Sequence, residues 1–380
     1  MAMVSSEKTN VTYLFGFGRS KLISSNEEFA DEFFYGYFKL LNDEEKVNYI
    51  EFQDNSEKSN HKIITSFFSK VLRKISKLSF FLENICTLNN FRILWNTKHI
   101  IATNDRIGIS LLPFLIIYKI FRVNKTSVIV MGLLAKQTTN LISHIFQRIL
   151  LNIFFTLGSN FIFLSKSECK QAEVSYKKYK EKFHYVPFCI DTSFWKSDDL
   201  KKIEKTKILF IGNDGRREYD LVLEIAKALP QYEFLLITSN IEDSSVDSKN
   251  IKLIKGSWNR RLLSDQQLKG FYHEGMLSII PIKDTYQPSG QSVALQSMAM
   301  KIPVMISDTI GFWDKEMFKN NENIFFVNDN NLDSWTNRID KILTDTKLKD
   351  TVSRNGNKTT LKHYDSDYFY KSLIKIIFSS

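Results

Sequence analysis

The sequence predicts an α/β protein with two Rossmann-like domains, each built on a parallel sheet. The chain has 380 residues, which is enough for two domains of ordinary size. Short apolar runs alternate with helical patterns along its whole length, and alternating strands and helices form parallel sheets with helices on both faces. The charged run K-S-D-D-L-K-K-I-E-K-T-K at 196–207 divides this alternation into two series, as expected for a domain boundary.

The first series begins with a short apolar run that is followed by a glycine loop, G-F-G-R-S at 16–20. A strand that ends in such a loop is typical of the first βα turn of a Rossmann-like domain, where Gly18 lines the ligand cleft or simply makes the turn. We predict strands at 11–16, 47–51, 100–102, 128–131 and 161–164, and a helix at 27–41. These elements define a first domain at 1–195.

The second series follows the charged run. We predict strands at 208–211, 233–237, 251–255, 277–280, 304–306 and 323–327, with helices at 219–229, 265–271, 291–300, 332–344 and 346–363. The predicted organisation is therefore a linker at 196–206 and a second domain at 207–363. The remaining residues, 364–380, contain a further helix that can pack back on the first domain.

The composition restricts the partners that the protein can have. The formal net charge of +10 favours an anionic partner, which is a nucleic acid, an anionic lipid or a phosphate-bearing substrate. The three cysteines lie far apart, as expected for reduced thiols, and neither they nor the six scattered histidines have metal-site spacing. No secretory leader and no apolar run of about 18–20 residues is visible, so we expect a cytoplasmic protein without a metal site.

The most informative stretch is Y-Q-P-S-G-Q-S-V-A-L-Q-S-M-A-M-K-I-P-V-M-I-S-D at 286–308. It predicts a loop, a helix and a buried strand, with small residues where the helix begins. The N-terminus of a helix presents unpaired N–H groups and partial positive charge, which suit phosphate, although an ordinary α/β turn has the same pattern. The candidate binding residues here are Lys283, Tyr286, Gln287, Ser289, Gly290, Gln291 and Ser292.

Four motifs, in order along 160–345, resemble those of retaining GT-B glycosyltransferases. F-I-F-L-S-K-S-E at 161–168 resembles that family's strand ending in serine, and V-P-F-C-I-D-T-S-F-W at 186–195 resembles I-P-N-G-V-D-x-x-x-F. I-L-F-I-G-N-D-G-R-R-E-Y-D at 208–220 resembles the G-R-x-x-x-x-K-G loop, and 286–308 resembles E-P-F-G-x-x-x-L-E-A-M-A-x-G-x-P-V. The resemblance implies two Rossmann-like domains facing across a cleft, with the donor bound by the second. It also implies metal-independent hexose transfer from a UDP- or GDP-sugar, which is a substrate, and no cofactor.

Arg217 falls where that family places a lysine, and it is the main candidate for the catalytic cation. Negative charge grows on the diphosphate as the sugar–oxygen bond breaks, and an arginine can stabilise it through two parallel hydrogen bonds. Arg216 is a second candidate that can instead face solvent. Gly212 and Asn213 are the donor-binding candidates of the same loop, where glycine lets the backbone approach closely. The alternative is that both arginines are surface charges.

Gln296 stands where the resemblance places a glutamate that holds the ribose hydroxyls, and an amide can still accept their hydrogen bonds. One residue is inserted before Q-S-M-A, so the position eight residues earlier is Pro288, and the family's paired glutamates are absent. The sugar therefore stays open, and an inactive nucleotide-binding scaffold is an alternative. Asp105 is the candidate catalytic acid for an acceptor hydroxyl. Trp258 can stack on the nucleobase or belong to the core.

A cationic amphipathic helix is predicted at 61–85, with apolar residues at i, i+3 and i+4 spacing. Its candidate membrane-facing residues are Phe67, Phe68, Lys70, Arg73, Lys74 and Lys77. Such a helix suits the headgroup region of an anionic membrane, although packing on the first domain with a solvated basic face is an equal alternative. Basic and apolar helices of this kind occur in GT-B enzymes that glycosylate lipids, so we expect a peripheral protein on the inner face of the membrane.

The prediction for function is thus a hexosyltransferase that acts on a membrane-associated lipid such as diacylglycerol. Transfer to a glycan, in surface polysaccharide or lipopolysaccharide assembly, is the alternative within the same class. A nucleic-acid-binding protein is disfavoured because the chain contains none of the known modules. A nucleotide-sugar epimerase would need carboxylates or histidines as acid and base, and the loop at 286–290 has neither.

Overall fold

The computed structural model describes residues 9–43, 46–52, 60–121, 124–136, 138, 140–197, 204–256 and 262–378. Trp258 and most of the predicted linker at 196–206 lie outside the described residues. The chain forms two compact units, the first from Met1–Ser25, Phe34–Pro187 and Tyr370–Ser380, and the second from Asn26–Phe33 and Phe188–Phe369. The division therefore falls after Pro187 rather than at 195, and the segment 26–33 belongs to the second unit.

The first unit contains a parallel six-stranded sheet in the order β2-β1-β3-β4-β5-β6. Its strands are β1 (Thr9–Phe15), β2 (Val47–Glu51), β3 (Thr97–Ala102), β4 (Lys125–Val130), β5 (Asn160–Phe163) and β6 (Phe183–Tyr185). The strand order reverses between β1 and β3, and ligands of open α/β sheets bind at the carboxyl ends of the strands beside such a reversal. The three-residue strand β6 is not among the predicted strands, because F-H-Y is too short to form a recognisable apolar run.

The described residues of the first unit include eight α-helices. They are α1 (Arg19–Ile23), α2 (Tyr37–Asp43), α3 (Asn60–Ser76), α4 (Leu88–Trp95), α5 (Asp105–Ser110), α6 (Leu112–Phe121), α7 (Leu141–Leu157) and α8 (Lys166–Ser175). Every residue of β5 is buried, and the ring of Phe161 in this strand packs edge-on against Phe154 and Phe155 of α7. Strands buried on both faces carry continuous apolar runs, which is why the sequence predicts them well.

The predicted helix at 27–41 is wrong over its first half. The structure has a short 3₁₀ helix at Glu32–Phe34, and α2 begins only at Tyr37. Between them Tyr35 and Gly36 adopt positive φ angles of 51° and 80°, which an α-helix cannot accommodate. A Cβ at Gly36 would lie 3.0 Å from the ring of Tyr370, so the turn depends on a residue distant in sequence.

The predicted amphipathic helix at 61–85 is also too long. Helix α3 ends at Ser76, and Lys77 has a φ of 60°, a left-handed conformation typical of a helix C-terminus. After the turn the chain enters the core, where Leu78 and Ile85 are completely buried. The apolar spacing continues through this turn, and for that reason the sequence alone does not show where the helix stops.

The second unit contains another parallel six-stranded sheet, in the order β12-β11-β10-β7-β8-β9. Its strands are β7 (Lys207–Ile211), β8 (Glu233–Ile237), β9 (Ile251–Ile254), β10 (Gly275–Ile280), β11 (Val304–Ser307) and β12 (Phe325–Val327). All six coincide closely with the predicted strands. The chain runs outwards from β7 in one direction and from β10 in the other, so the strand order reverses between these two neighbours.

The helices of the second unit are α9 (Tyr219–Ala228), α10 (Asp265–His273), α11 (Gln291–Ala299), α12 (Leu332–Thr344) and α13 (Thr346–His363). A last helix, α14 (Ser366–Phe378), begins in the second unit and enters the first at Tyr370. Within the described part of the chain, no helix is both long enough and apolar enough to cross a membrane.

Candidate active site

The candidate donor site lies where two loops of the second unit leave the neighbouring strands β7 and β10. The backbone N–H of Lys283 donates to the carbonyl of Arg216 at 2.8 Å, and the N–H of Glu218 donates to the carbonyl of Pro281 at 3.1 Å. These bonds join the two loops directly at the reversal of strand order. Such a point is the usual ligand site of an open α/β sheet.

Arg217 is the central side chain of this site. It is only 3% exposed, and its Nη2 lies 3.5 Å from a carboxylate oxygen of Asp214. Its Nε and Nη1 have no hydrogen-bond partner among the described residues. A buried guanidinium with two unsatisfied nitrogens is costly unless an anion completes its hydrogen bonds. The geometry therefore suits an anionic ligand.

Two glycines make room for this guanidinium. A Cβ at Gly212 would lie 2.4 Å from Nε of Arg217, and a Cβ at Gly290 would lie 3.1 Å from Nη1. Gly290 also has a φ of 85°, which disfavours any other residue, and it precedes the first turn of α11. Arg217 consequently lies beside the N-terminus of a nine-residue helix, where backbone N–H groups add further positive potential.

Most of the other predicted donor residues surround this centre. Arg216 is half-buried, and its Nε donates to Oε1 of Gln287 at 3.2 Å. The buried Oγ of Ser289 has no partner among the described groups. Tyr286 and Ser292 are half-buried, whereas Lys283 is exposed. The structure thus brings the predicted loop residues together on one edge of one sheet.

Gly311 supports the site but cannot be recognised from the sequence motifs. A Cβ at this position would lie 2.3 Å from the carbonyl oxygen of Thr285, so only glycine lets the loop after β11 pack against the loop after β10. The N–H of Ile310 adds a hydrogen bond to Asp284 at 3.1 Å. The sequence D-T-I-G at 308–311 directly follows the buried strand β11 and indicates a turn, but it does not indicate which loop packs there.

The side chain and carbonyl of Asn213 form hydrogen bonds within the protein. Its Oδ1 accepts from the N–H of Ser239 at 2.7 Å and from the hydroxyl of Thr238 at 3.3 Å, which fixes the loop after β7 to the end of β8. The side chain of Asn240 donates to the carbonyl of Asn213 at 3.1 Å. Donor binding by Asn213 stays a prediction, and the backbone N–H of Asn213 is the group that would make it.

Gln296 is completely buried, and protein groups occupy both ends of its amide. Tyr272 donates its hydroxyl to Oε1 at 2.9 Å, and Nε2 donates to Oε1 of Glu32 at 2.8 Å. Contact with a ribose stays a prediction, and it would require the amide to exchange one of these partners. Gln291 is also buried, on the first turn of the same helix.

Glu32 is the residue of this network that the sequence analysis misses. Its carboxylate also accepts from the indole N–H of Trp195 at 2.8 Å and from the N–H of Asp191 at 3.2 Å, all within the second unit. Burial raises the pKa of Glu32 to about 7, although the hydrogen bonds from Gln296 and Trp195 act to lower it. A glutamate at 296 would place a second carboxylate against Glu32, which explains in physical terms why an amide stands there.

The two predicted candidates of the first unit, Gly18 and Asp105, follow the neighbouring strands β1 and β3. Gly18 precedes α1 with a φ of 88°. Asp105 begins α5, is 7% exposed and forms an ion pair of 3.0 Å with Lys136. Its role towards an acceptor stays a prediction.

The predicted membrane-facing residues differ in exposure. Phe67, Phe68, Lys70, Lys74 and Lys77 are exposed, as predicted for a surface helix. Arg73 instead has a structural role, because its Nη1 donates to the carbonyl of Phe80 and lies 3.7 Å from the carboxylate of Glu83. Its guanidinium also stacks over the ring of Phe81 at 4.3 Å, so we remove Arg73 from the membrane-facing set.

Two six-stranded parallel sheets, with a loop and a helix at the strand reversal of the second, are the architecture of the GT-B glycosyltransferase fold. HepE of Anabaena in complex with UDP aligns over 98% of this chain and 100% of its own, with a TM-score of 0.67 and 12% identity. Sucrose-phosphate synthase from Thermosynechococcus elongatus aligns over 97% of this chain and 98% of its own, with a TM-score of 0.65 and 12% identity. The predicted GT-B fold is confirmed.

Sequence comparison finds one curated glycosyltransferase that is similar over part of the chain. The capsular polysaccharide biosynthesis glycosyltransferase CapM of Staphylococcus aureus is 23% identical over 174 residues, which are 46% of this chain and 38% of CapM. The match thus spans less than half the length of that relative. No protein-family model matches the chain.

Proposed function

We propose that this protein is a retaining glycosyltransferase that transfers a hexose from a UDP- or GDP-sugar to a membrane-associated lipid such as diacylglycerol. The observation that carries the proposal is the buried guanidinium of Arg217, which has two unsatisfied nitrogens beside the N-terminus of α11. The solved complexes of HepE with UDP and with UDP-glucose support a nucleotide-sugar as the donor.

The proposed chemistry follows from where positive charge is concentrated. As the bond between the sugar and the diphosphate breaks, Arg217 and the first N–H groups of α11 stabilise the charge that grows on the leaving oxygens. Two cationic elements fixed before the reaction need no reorganisation during it, and they supply the role for which other enzymes use a metal ion. In the retaining mechanism the leaving phosphate oxygen accepts the proton of the acceptor hydroxyl.

The lipid acceptor rests on the exposed side chains of α3. Ile63, Ile64, Phe67 and Phe68 are all more than half exposed, and exposed apolar residues of this size mark interaction surfaces. Three exposed lysines accompany them and suit anionic headgroups. We therefore place the protein at the inner face of the membrane. Surface polysaccharide assembly is the second candidate function, and the similarity to CapM favours it.

A thermal-shift panel of UDP, GDP and their hexose conjugates tests the donor site. A nucleotide at 100 times its Kd should stabilise the protein by about 2.7 kcal/mol. Arg217→Ala and Arg217→Lys should both weaken the response, the lysine variant less, while Arg354→Ala on the exposed face of α13 should respond like wild type. A protein that no nucleotide stabilises would contradict the proposal and support an inactive scaffold.

Transfer itself is tested with the nucleotide-sugar that gives the largest shift. The protein is incubated with that donor and with vesicles that contain diacylglycerol, and the lipid product is analysed for its anomeric configuration. An α-linked product from an α-linked donor is expected of a retaining enzyme. An inverted product would contradict retention. Transfer only to a soluble glycan would support the polysaccharide alternative.

A further inference from the structure

Helix α7 carries a second exposed apolar stripe, which the sequence analysis did not single out. From Ile142 onwards its members recur at intervals of three or four residues, with Leu141 beside the first of them. All five are between 39% and 78% exposed: Leu141, Ile142, Ile145, Ile149 and Ile153. The opposite side of α7 is anchored in the core of the first unit through Leu151, Phe154 and Phe155. An amphipathic helix normally turns polar residues outwards, so an apolar outer face calls for a partner.

Helix α3, which also carries exposed apolar residues, is a packing neighbour of α7. The two helices pack against each other in the first unit, and Nε2 of Gln147 on α7 donates to the carbonyl of Ser76 at the end of α3 at 3.0 Å. On α3, five apolar side chains are between 37% and 64% exposed: Ile63, Ile64, Phe67, Phe68 and Val71. We call these ten residues the α3–α7 surface.

The charges on the two helices indicate which partner this surface fits. Neither α3 nor α7 contains an aspartate or a glutamate. The exposed cations Lys70, Lys74 and Lys77 lie on and directly after α3, whereas α7 adds only Arg148 as a permanent cation. A face of apolar residues bordered by cations, on two helices without acids, complements an apolar layer beneath anionic headgroups.

We propose that the α3–α7 surface is a two-helix membrane-binding site in which α7 inserts between lipids and the lysines of α3 bind anionic headgroups. This inference deepens the proposed function, on whose membrane-associated acceptor it rests. Helix α7 spans about 25 Å, so it can lie in the plane of the interface along its whole stripe. The two contributions differ in physical origin, and salt screens only the one made by the lysines.

Vesicle flotation of the full chain separates the two contributions. The vesicles are phosphatidylcholine alone, or phosphatidylcholine with about one third phosphatidylglycerol. The triple variant I142Q/I145Q/I149Q should bind both kinds at least about tenfold more weakly, at low and at high salt. The triple variant K70Q/K74Q/K77Q should lose roughly a hundredfold on anionic vesicles at low salt, and little at high salt.

Matched controls use exposed residues outside the α3–α7 surface. Val174→Gln on α8 removes an apolar side chain that is 69% exposed, and K347Q/K358Q/K362Q removes three exposed lysines from α13. Both should bind vesicles like wild type. All the substituted residues are exposed, so the variants should fold. For each variant, a nucleotide-induced thermal shift equal to that of wild type confirms that the protein is folded. The same measurement tests the donor site independently of the vesicles, so failure of the donor site can be told apart from failure of the membrane site.

Two results would overturn the inference. One is vesicle binding by I142Q/I145Q/I149Q that equals that of wild type. The other is a wild-type protein that ignores vesicles but sediments as a dimer, with the same variant sedimenting as a monomer. That pattern would show that a second copy of the chain covers the α3–α7 surface.

Discussion

At the scale of single residues, the site depends on the space that Gly212 and Gly290 leave for the guanidinium of Arg217. Gly290 combines a φ of 85° with a close approach to Nη1 of Arg217, whereas Gly215 in the neighbouring loop has no heavy atom within 4 Å of its Cβ position. Gly290 and Gly215 therefore form a natural pair for comparison. The geometry requires glycine at position 290 but not at position 215.

We expect Gly290→Ala to lower the free energy of unfolding by about 1–2 kcal/mol, since alanine is strained in the left-handed region. The same variant should weaken nucleotide binding, because the added methyl group pushes on the guanidinium of Arg217. Urea unfolding and the nucleotide-induced thermal shift measure the two effects. Gly215→Ala is the control and should change neither quantity, and an equal loss in both variants would contradict the argument.

The hydrogen bond between Gln296 and Glu32 predicts that substitutions at these two positions have non-additive effects on stability, although the residues are far apart in sequence. Gln296→Glu should destabilise the protein by about 2–4 kcal/mol at pH 8, since it buries two carboxylates in contact. The double variant E32Q/Q296E should recover most of this loss because it restores one acid and one amide. Urea unfolding at pH 8 of both single variants and the double variant gives the coupling energy. Additive effects would show that the two side chains do not interact.

At the scale of elements, the sequence predicts regular structure best where local signals agree. The helices at 332–344 and 346–363 match the structure to the residue, since Asn331 and Asp345 cap them with side-chain hydrogen bonds. The wrong half of the helix at 27–41 has the opposite cause. Tyr35 and Gly36 take left-handed conformations beside Tyr370, and no local pattern reports a contact made across the whole chain.

The end of α3 offers a test of backbone strain in one element. Lys77 has a φ of 60°, which glycine adopts without cost, so Lys77→Gly should be about 1 kcal/mol more stable than Lys77→Ala. Both variants remove the same charge, which leaves the backbone as the difference between them. Chemical unfolding measures the gap. In the interior of α3 the order should reverse, with Lys74→Gly less stable than Lys74→Ala.

At the scale of the whole molecule, each unit holds a buried glutamate whose pKa is shifted upwards. Glu32 lies in the second unit, and Glu168 in the first accepts hydrogen bonds from the N–H groups of Gly132 and Leu134. Burial raises the pKa of both carboxyl groups from 4.5 to about 7. In the folded protein each group therefore keeps its proton over a pH range in which the unfolded chain has lost it.

These two carboxyl groups should lower stability as the pH rises from about 4.5 to about 7, since in that window they bind more protons in the folded state than in the unfolded chain. His99 and His184, whose pKa values burial lowers, act in the opposite direction. Urea midpoints measured across pH 5 to 8 test this. Glu32→Gln and Glu168→Gln should each remove one part of this fall, so the urea midpoint of wild type minus that of each variant should decrease from pH 5 to pH 7 and then level off. A difference that stays constant or increases over this range would contradict the raised pKa of that glutamate.

The structure brings predicted site residues together where one motif supplies several neighbours. The loops at 212–217 and 283–292 follow adjacent strands, so placing the strands already places Arg217 near Gly290. Glu32 and Gly311 could not be placed in this way. Glu32 reaches its partners across most of the sequence, and Gly311 matters only through the space that its missing side chain leaves.

The path of the chain between the two units limits how its gene can recombine. It passes from one unit to the other after Ser25, Phe33, Pro187 and Phe369, so the second unit is not one continuous piece of sequence. A fragment cut at 188–369 would lack Glu32, and with it the acceptor for Gln296 and for the indole of Trp195. Recombination at a single crossover could therefore not transplant the second unit intact. New specificities in such a lineage are expected to arise by substitution within loops rather than by exchange of whole domains.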